Sequence, residues 1–337
     1  MASSDRAWLG DRVPCQRHDT ACRTARGGRL VRAVCRAAAP HSKQRPGRMS
    51  VPTGVPAANA RPESESGPHP PSLMGRARYR LRTHMTEHPV IYLPLARVKR
   101  ALRLDVRDIQ RQVISSRTEL VIDGYTRCGT TFAVYALQLS QEGPVRLAHH
   151  LHAPAQLIAA ARRGIPALLV IRDPQGAILS QLIREPNLAL RDALVAYSRF
   201  YTCLLPYRNH LVVGEFEHVT HDFGGVVRRL NARFGTSFAE FVHNDANVRE
   251  CLELMSLRGI WSRVQLGFES GDVTRAQLDR ELQAVTRATP VDARDAWIPS
   301  HARERDKAAL LKQWHQPSLA RLRDRAQLVY QAFVDGT

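Results

Sequence analysis

The sequence predicts an α/β fold: a three-layer α/β/α arrangement with a central parallel sheet and a P-loop-like phosphate-binding loop. Short apolar runs alternate along the chain with segments of helical periodicity, which is the pattern of a parallel sheet covered by helices. One such run, residues 120–122, leads into a loop bounded by Gly124 and Gly129, and a helical pattern starts at Thr130. This order commonly holds a phosphate, because the unpaired N–H groups and the dipole at a helix start favour an anion.

The remaining elements follow from the same patterns. Strands are expected at residues 120–122, 145–150, 165–171 and 210–216, with an edge segment at 91–95. Helices are expected at residues 98–114, from 130, at 154–163, from 174, and at 188–205, 221–234, 248–258, 302–313 and 318–333. Asp173 and Pro174 suit the N-cap and first position of a helix, and Gly235 suits a left-handed cap. The stretch that contains Gly259, Gly267 and Gly271 is expected to be rich in loops.

Charge and cysteine content narrow the function classes. The chain has 337 residues and a net charge of +18, but residues 1–84 hold 16 Lys and Arg against 5 Asp and Glu. Most of the excess therefore lies in the first quarter, and we expect no specific nucleic-acid partner. No apolar run reaches the roughly 18 residues of a membrane span. The six cysteines form no C-x-x-C pair, so we expect no metal, no disulfide framework and a reducing, cytoplasmic location.

Residues 1–84 are expected to be disordered, because they are rich in Arg, Pro, Ser, Gly and Ala and show little periodicity. Three interpretations remain open: a polybasic arm for nucleic acid or membrane, an organelle transit peptide, or an over-extended reading frame. In the last case the native start would be Met49, Met74 or Met85. Residues 85–337 are expected to form one domain.

The loop is close to a Walker A box, G-x-x-x-x-G-K-[ST], without being one. Gly124 and Gly129 have the right spacing and Thr131 takes the hydroxyl position, but Thr130 replaces the lysine. The cation lies inside the loop, at Arg127. This arrangement suits a phosphate-bearing donor that needs no metal, although a plain strand-to-helix turn would also explain the two glycines.

A second candidate anion site follows the third strand. Arg172 lies at the carboxyl end of that strand, and Ser180 lies two turns into the next helix. A guanidinium fork and a hydroxyl suit a dianionic phosphate. As structural alternatives, Arg172 could pair with Asp173 or cap a neighbouring helix.

Together the two sites resemble the family of sulfotransferases that use 3′-phosphoadenosine 5′-phosphosulfate (PAPS). The family's Y-P-K-S-G-T-T-W loop is similar to residues 125–132, Y-T-R-C-G-T-T-F, and its R-[DN]-P element with a Ser eight positions later is similar to Arg172-Asp173-Pro174 and Ser180. The family's H-L-P and Y-E-D-[LM] stretches correspond to His150-Leu151 and residues 216–219. A P-S-x-x-R-x-x-x-K segment of some bacterial members is similar to residues 299–307, which include Arg303.

The chain also departs from the family. Arg127 replaces a common Lys, Thr126 a Pro and Phe132 a Trp. The R-K-G-x-x-G segment of cytosolic animal members is absent, which leaves open which cation makes the second contact to the 3′-phosphate.

The resemblance implies transfer of a sulfuryl group from PAPS to a hydroxyl or amine on a carbohydrate, lipid or small molecule, without a metal. It assigns donor binding to Arg127, Cys128, Gly129, Thr130, Thr131, Phe132, Arg172, Ser180 and Arg303. Arg127 would also act in catalysis, through its fixed charge. Phe132 would stack on adenine, or it would be a core residue.

His150 is the first choice for the general base, with His149, His152 and Glu217 as competitors. Two other functions remain open. One is a P-loop kinase or NTPase, which would need Mg²⁺ and the missing lysine. The other is a catalytically silent protein that binds the nucleotide.

Overall fold

A computed structural model describes residues 72–102, 111–257, 263–285 and 301–335. Within these ranges the chain is α/β, mostly helical, and contains a four-stranded sheet in the order β2-β1-β3-β4 with all strands parallel. The strands are β1, Leu120–Gly124; β2, Leu147–His149; β3, Ala167–Ile171; and β4, Val212–Glu215. The prediction of an α/β protein with a central parallel sheet is confirmed.

The described helices follow in chain order. They are α1, Leu73–Met85; α2, Pro89–Leu102; α3, Thr130–Ser140; α4, Pro154–Arg163; α5, Pro174–Arg184; α6, Leu190–Thr202; α7, Phe216–His221; α8, Phe223–Phe234; α9, Asp245–Leu257; α10, Arg263–Ser270; α11, Arg275–Val285; α12, His301–Trp314; and α13, Ala320–Val334. Asp173 caps α5 by accepting from the Gly176 N–H, and Gly235 ends α8 at φ +65°. None of the helices in the described ranges has both the length and the apolar character that a membrane crossing needs.

Two expectations about local structure are wrong. Residues 91–95 are not an edge segment but part of α2, because Tyr92, Leu93 and Ala96 recur at helical spacing and are buried. Residues 263–285, expected to be rich in loops, are mostly helical and form α10 and α11, with Gly267 inside α10 and Gly271 just after it at φ +77°. Gly259, from the same expectation, lies outside the described residues. The expected helix at 98–114 is described only to Leu102, since residues 103–110 lie outside the described ranges and residues 111–115 are not helical.

The centre of the sheet lies between β1 and β3, and every residue of these two strands is buried. Gly124 faces Val170 at the end of the pair, where an added Cβ would lie 2.0 Å from the Val170 carbonyl oxygen. Only glycine permits this approach. This close approach places the loop that follows β1 next to the loop that follows β3.

Helix α1 lies in the stretch that we expected to be disordered. Its side chains Arg76 and Arg80 contact the buried carboxylate of Asp192 on α6, with Arg76 Nε at 2.8 Å and Arg80 Nη2 at 2.6 Å. Ser72 caps the helix by accepting from the Gly75 N–H. The ordered part of the chain therefore includes α1, and a start at Met85 would remove both arginines from Asp192.

We expect Asp192→Asn to lower the free energy of unfolding by about 1–2 kcal/mol, since the arginines are partly exposed and solvent screens them. Burial acts to raise the pKa of Asp192, but its hydrogen bonds and charge contacts with Arg76 and Arg80 lower it overall. The stabilisation is therefore present above about pH 4 and is lost as the pH falls through the folded-state pKa. Urea unfolding at pH 7 and pH 3 measures this difference.

The control is Glu142→Gln, which removes an exposed carboxylate. A difference between Asp192→Asn and the native chain that persists unchanged at pH 3 would contradict this account of α1.

Candidate functional site

The candidate site lies where the loops after β1 and β3 meet. The loop from Tyr125 to Gly129 reverses direction through two residues with positive φ, Arg127 at 68° and Gly129 at 94°. Gly129 precedes α3, and no side chain caps the first turn of that helix. An added Cβ at Gly129 would also lie 3.1 Å from the Phe216 ring, so the loop requires glycine there on two counts.

Arg127, Arg172 and Ser180, predicted from two separate motifs, come together here. Arg127 Nε donates to Ser180 Oγ at 3.0 Å, and Arg172 Nη1 donates to the Arg127 carbonyl oxygen at 3.4 Å. The Arg172 guanidinium lies 3.9 Å from the centre of the Phe216 ring, a cation–π contact. Gly176 leaves the room for this arrangement, since a Cβ there would lie 2.8 Å from Arg172 Nε.

Two polar side-chain atoms at this site are buried without a hydrogen bond. Arg172 Nε is buried without a hydrogen bond, and its contact with Asp173 is a 3.8 Å ion pair. Thr130 Oγ1, at the start of α3, is likewise buried without a hydrogen-bond partner. Buried polar atoms are rarely left unsatisfied. A ligand with anionic oxygens would satisfy both.

Two residues predicted to bind the donor, one in the loop and one in the first turn of α3, have buried side chains. The Cys128 thiol lies 3.4 Å from the Tyr201 hydroxyl, and burial raises its pKa to about 12. Cys128 can therefore meet a ligand only through its backbone. Phe132 is buried and packs edge to face on Phe241, which agrees with the core alternative for this residue.

His149 and His150 belong to a buried hydrogen-bonded network behind the loop. His150 Nε2 lies 2.9 Å from Thr131 Oγ1, and its Nδ1 lies 2.6 Å from His149 Nδ1. Glu269 is close enough for the three side chains to surround a cation, and it accepts from the Tyr135 hydroxyl at 2.6 Å. However, two nitrogens on one zinc ion would lie about 3.3 Å apart, given tetrahedral bonds of 2.0–2.1 Å. The 2.6 Å separation is that of one imidazole donating to the other.

His152 has a different environment from His150. Its backbone N–H donates to Asp123 Oδ1 at 3.1 Å, and its Nδ1 lies 2.9 Å from the Gly124 carbonyl oxygen. A carbonyl oxygen only accepts, so Nδ1 carries the proton and the lone pair of the neutral ring is on Nε2. His152 is also partly exposed, whereas His150 is buried.

A cleft of about 120 Å³ opens beside His152 and Thr126. Side chains from α1 and α2 form one wall of the cleft, including Tyr79, Arg82 and Tyr92. Aromatic rings and both signs of charge line the cleft, so it suits a polar molecule with an apolar part.

A second cavity of about 310 Å³ lies beside the start of α5. It is lined by Gly176 and Leu179 from α5 and by Lys307 from α12. Lys307 thus brings a cation close to the helix that carries Ser180. The backbone of Arg303 lies one turn earlier in α12, but its side chain is outside the described set.

Sequence reasoning did not single out Asp123. This carboxylate is fully buried at the end of β1 and accepts from the N–H groups of Gly124 and His152 and from Gln156 Nε2. The sequence feature that could have indicated Asp123 is its position directly before Gly124. Glu217, a competitor for the base, is exposed on α7 and lies near His221.

We expect Asp123 to make the stability of the protein depend on pH. Burial raises its pKa from 3.8 to about 7, despite four N–H donors that favour the charged form. Since the folded-state pKa is above the unfolded value, the stability is full below about pH 4 and is lost as the pH rises through 7. We expect the native chain to lose about 2 kcal/mol between pH 5 and pH 8, as measured by urea unfolding.

Asp123→Asn removes the titrating group and should remove that part of the pH dependence, whatever its effect on absolute stability. Equal slopes between pH 5 and pH 8 in the two chains would show that Asp123 is ionised throughout.

No family model matches the chain, and no curated protein or solved structure matches it. A function for this site therefore has to be inferred from its geometry.

Proposed function

We propose that this chain is a sulfotransferase that transfers a sulfuryl group from PAPS to a hydroxyl or amine acceptor. The proposal includes a P-loop-like loop at residues 125–129 within a three-layer α/β/α fold. It rests chiefly on the contacts that join Arg127, Ser180 and Arg172, which come from motifs 45 to 53 positions apart. Two anion-binding elements on neighbouring strand ends suit one ligand with phosphates at both ends.

The side chains fit such a donor. The unsatisfied Thr130 hydroxyl and the uncapped start of α3 favour the 5′ side of the nucleotide, close to Arg127. Arg172 and Ser180 favour the 3′-phosphate, and Lys307 provides a further cation next to the same helix. The second contact to the 3′-phosphate, which the family resemblance left open, is therefore proposed for Lys307.

PAPS supplies an activated sulfuryl group, and its transfer leaves negative charge on a phosphate oxygen. Arg127 stabilises that charge electrostatically, since a guanidinium remains charged and gives up no proton. Its bond to Ser180 Oγ fixes the direction of the side chain. Phe216 and the Tyr197 hydroxyl, which donates to the Arg172 carbonyl oxygen at 2.6 Å, hold Arg172 in place.

We propose His152, rather than His150, as the general base. Both ring nitrogens of His150 face other side chains in the buried network, while His152 lines the cleft next to Thr126. The acceptor oxygen or nitrogen forms the new bond to sulfur as the sulfur–oxygen bond to the phosphate breaks. The acceptor proton passes to His152 Nε2, and the Gly124 carbonyl oxygen holds the Nδ1 proton during the transfer.

Calorimetry with 3′-phosphoadenosine 5′-phosphate (PAP), the product nucleotide, tests donor binding. We expect the native chain to bind PAP without Mg²⁺ and to bind ATP more weakly. Arg172→Ala should weaken PAP binding about 10- to 100-fold, because hydrogen bonds to charged groups contribute about 1.5–3 kcal/mol. Arg163→Ala, which removes an exposed arginine at the end of α4, should leave binding unchanged. ATP binding that is tighter than PAP binding and requires Mg²⁺ would favour a kinase or NTPase.

Turnover tests the base. With PAPS and a panel of small phenols, monosaccharides and amines, we expect His152→Ala to lower product formation at least ~100-fold while PAP affinity stays within twofold. His150→Ala should lower the urea midpoint, because it interrupts the network between Thr131 and His149. Its effect on turnover should be smaller than that of His152→Ala. If a folded His150→Ala chain loses turnover and His152→Ala does not, His150 is the base. PAP binding without product from any acceptor would point to a protein that only binds.

A further inference from the structure

Helices α1 and α2 expose an unusual amount of apolar surface. Ten large apolar side chains are exposed in the described part of the chain, and seven of them lie on these two helices. They are Leu73, Met74, Leu81, Val90, Ile91, Val98 and Leu102. Scattered exposed apolar residues are normal, but a concentration of this kind marks a binding surface.

On α2 the exposed apolar residues form a continuous stripe. Val90, Pro94, Val98 and Leu102 recur every four positions and lie on one side, together with Ile91. The opposite side of the helix is also apolar, and there Tyr92, Leu93 and Ala96 are buried against the protein. A helix that is apolar on both sides is typical of one that is covered on both sides.

On α1 the pattern is that of an amphipathic helix. Leu73, Ala77 and Leu81 recur every four positions and are exposed, and Arg78 and Arg82 are also exposed. The inner side faces α6 through the bonds of Arg76 and Arg80 to Asp192.

The charge of this segment identifies the kind of surface that it fits. Residues 72–102 contain seven Arg and Lys but only one acidic residue, Glu87. Arg76 and Arg80 are paired with Asp192 on α6, which leaves five of the seven cations outside that pairing. Glu87 is already paired with Arg199, at 2.7 Å. Apolar stripes combined with cations, and without free acidic groups, suit an anionic lipid surface. A nucleic acid would meet the cations but would leave the uncharged α2 stripe exposed.

We propose that α1 and α2 bind the surface of membranes that contain anionic lipids, with the α2 stripe (Val90, Ile91, Pro94, Val98 and Leu102) inserted among the headgroups and the arginines near the lipid phosphates. The helices lie in the plane of the interface and do not cross the bilayer. This interaction is independent of the proposed sulfotransferase activity, because it needs neither donor nor acceptor.

Flotation of the full chain with vesicles tests the proposal. We expect binding to vesicles of phosphatidylcholine with 30% phosphatidylglycerol, at least tenfold weaker binding to pure phosphatidylcholine, and weaker binding in 0.5 M NaCl. Val98→Glu/Leu102→Glu should reduce binding to the anionic vesicles at least tenfold. The matched control is Val242→Glu/Leu328→Glu, which places two charges at apolar positions elsewhere that are at least as exposed as Val98 and Leu102. Circular dichroism and urea midpoints verify that both variants are folded.

The comparison of variant and control separates the contribution of the stripe to vesicle binding from that of the basic residues 1–71, which are the same in both. Absence of binding to anionic vesicles, or equal loss in variant and control, would overturn the proposal. A dimer in sedimentation that only the α2 variant dissociates would show that a second copy covers the stripe. Binding to single-stranded RNA that only the α2 variant loses, without binding to vesicles, would show a nucleic-acid surface instead.

Discussion

The close parallel pairing of β1 with β3 is the constraint on which the site depends. The Val170 carbonyl oxygen leaves no room for a Cβ at Gly124, and the loops that follow the two strands are forced together. Arg127 and Arg172 then reach each other through one backbone carbonyl group, and Ser180 joins them from α5. Without this pairing the two elements proposed to bind anions would remain separate local features, and a single ligand could not contact both.

Buried polar groups hold the segment after β2 in a conformation that its residues disfavour alone. His150 and His152 both have positive φ, at 56° and 49°, which is uncommon for residues other than glycine. Their hydrogen bonds to Thr131, Gly124 and Asp123 compensate for this strain. The network also separates the two imidazoles, since His150 faces the interior and His152 faces the cleft. Neighbouring histidines thereby acquire different environments from their backbone geometry.

Helices α1 and α2 connect the surface of the protein to the cleft. The same segment contributes the cleft wall at Tyr79 and Tyr92, the ion pairs with Asp192, and the exposed apolar stripe. The residues that line the cleft beside His152 and the residues that form the exposed stripe therefore belong to the same two helices. Polar contacts to α6 allow this segment to stay ordered although its outer side is apolar.

The sequence by itself determined the parallel sheet, the loop between Gly124 and Gly129 and the capped start of α5, because these follow from local apolar runs and from glycine and proline chemistry. It misread residues 91–95 of α2 as an edge segment and α1 as disordered, since the order of α1 depends on Asp192, more than 100 residues away. It could not give the different environments of His150 and His152, or find the buried Asp123. Only the tertiary structure shows these environments, because burial and hydrogen-bond partners are set by residues that are distant in the chain.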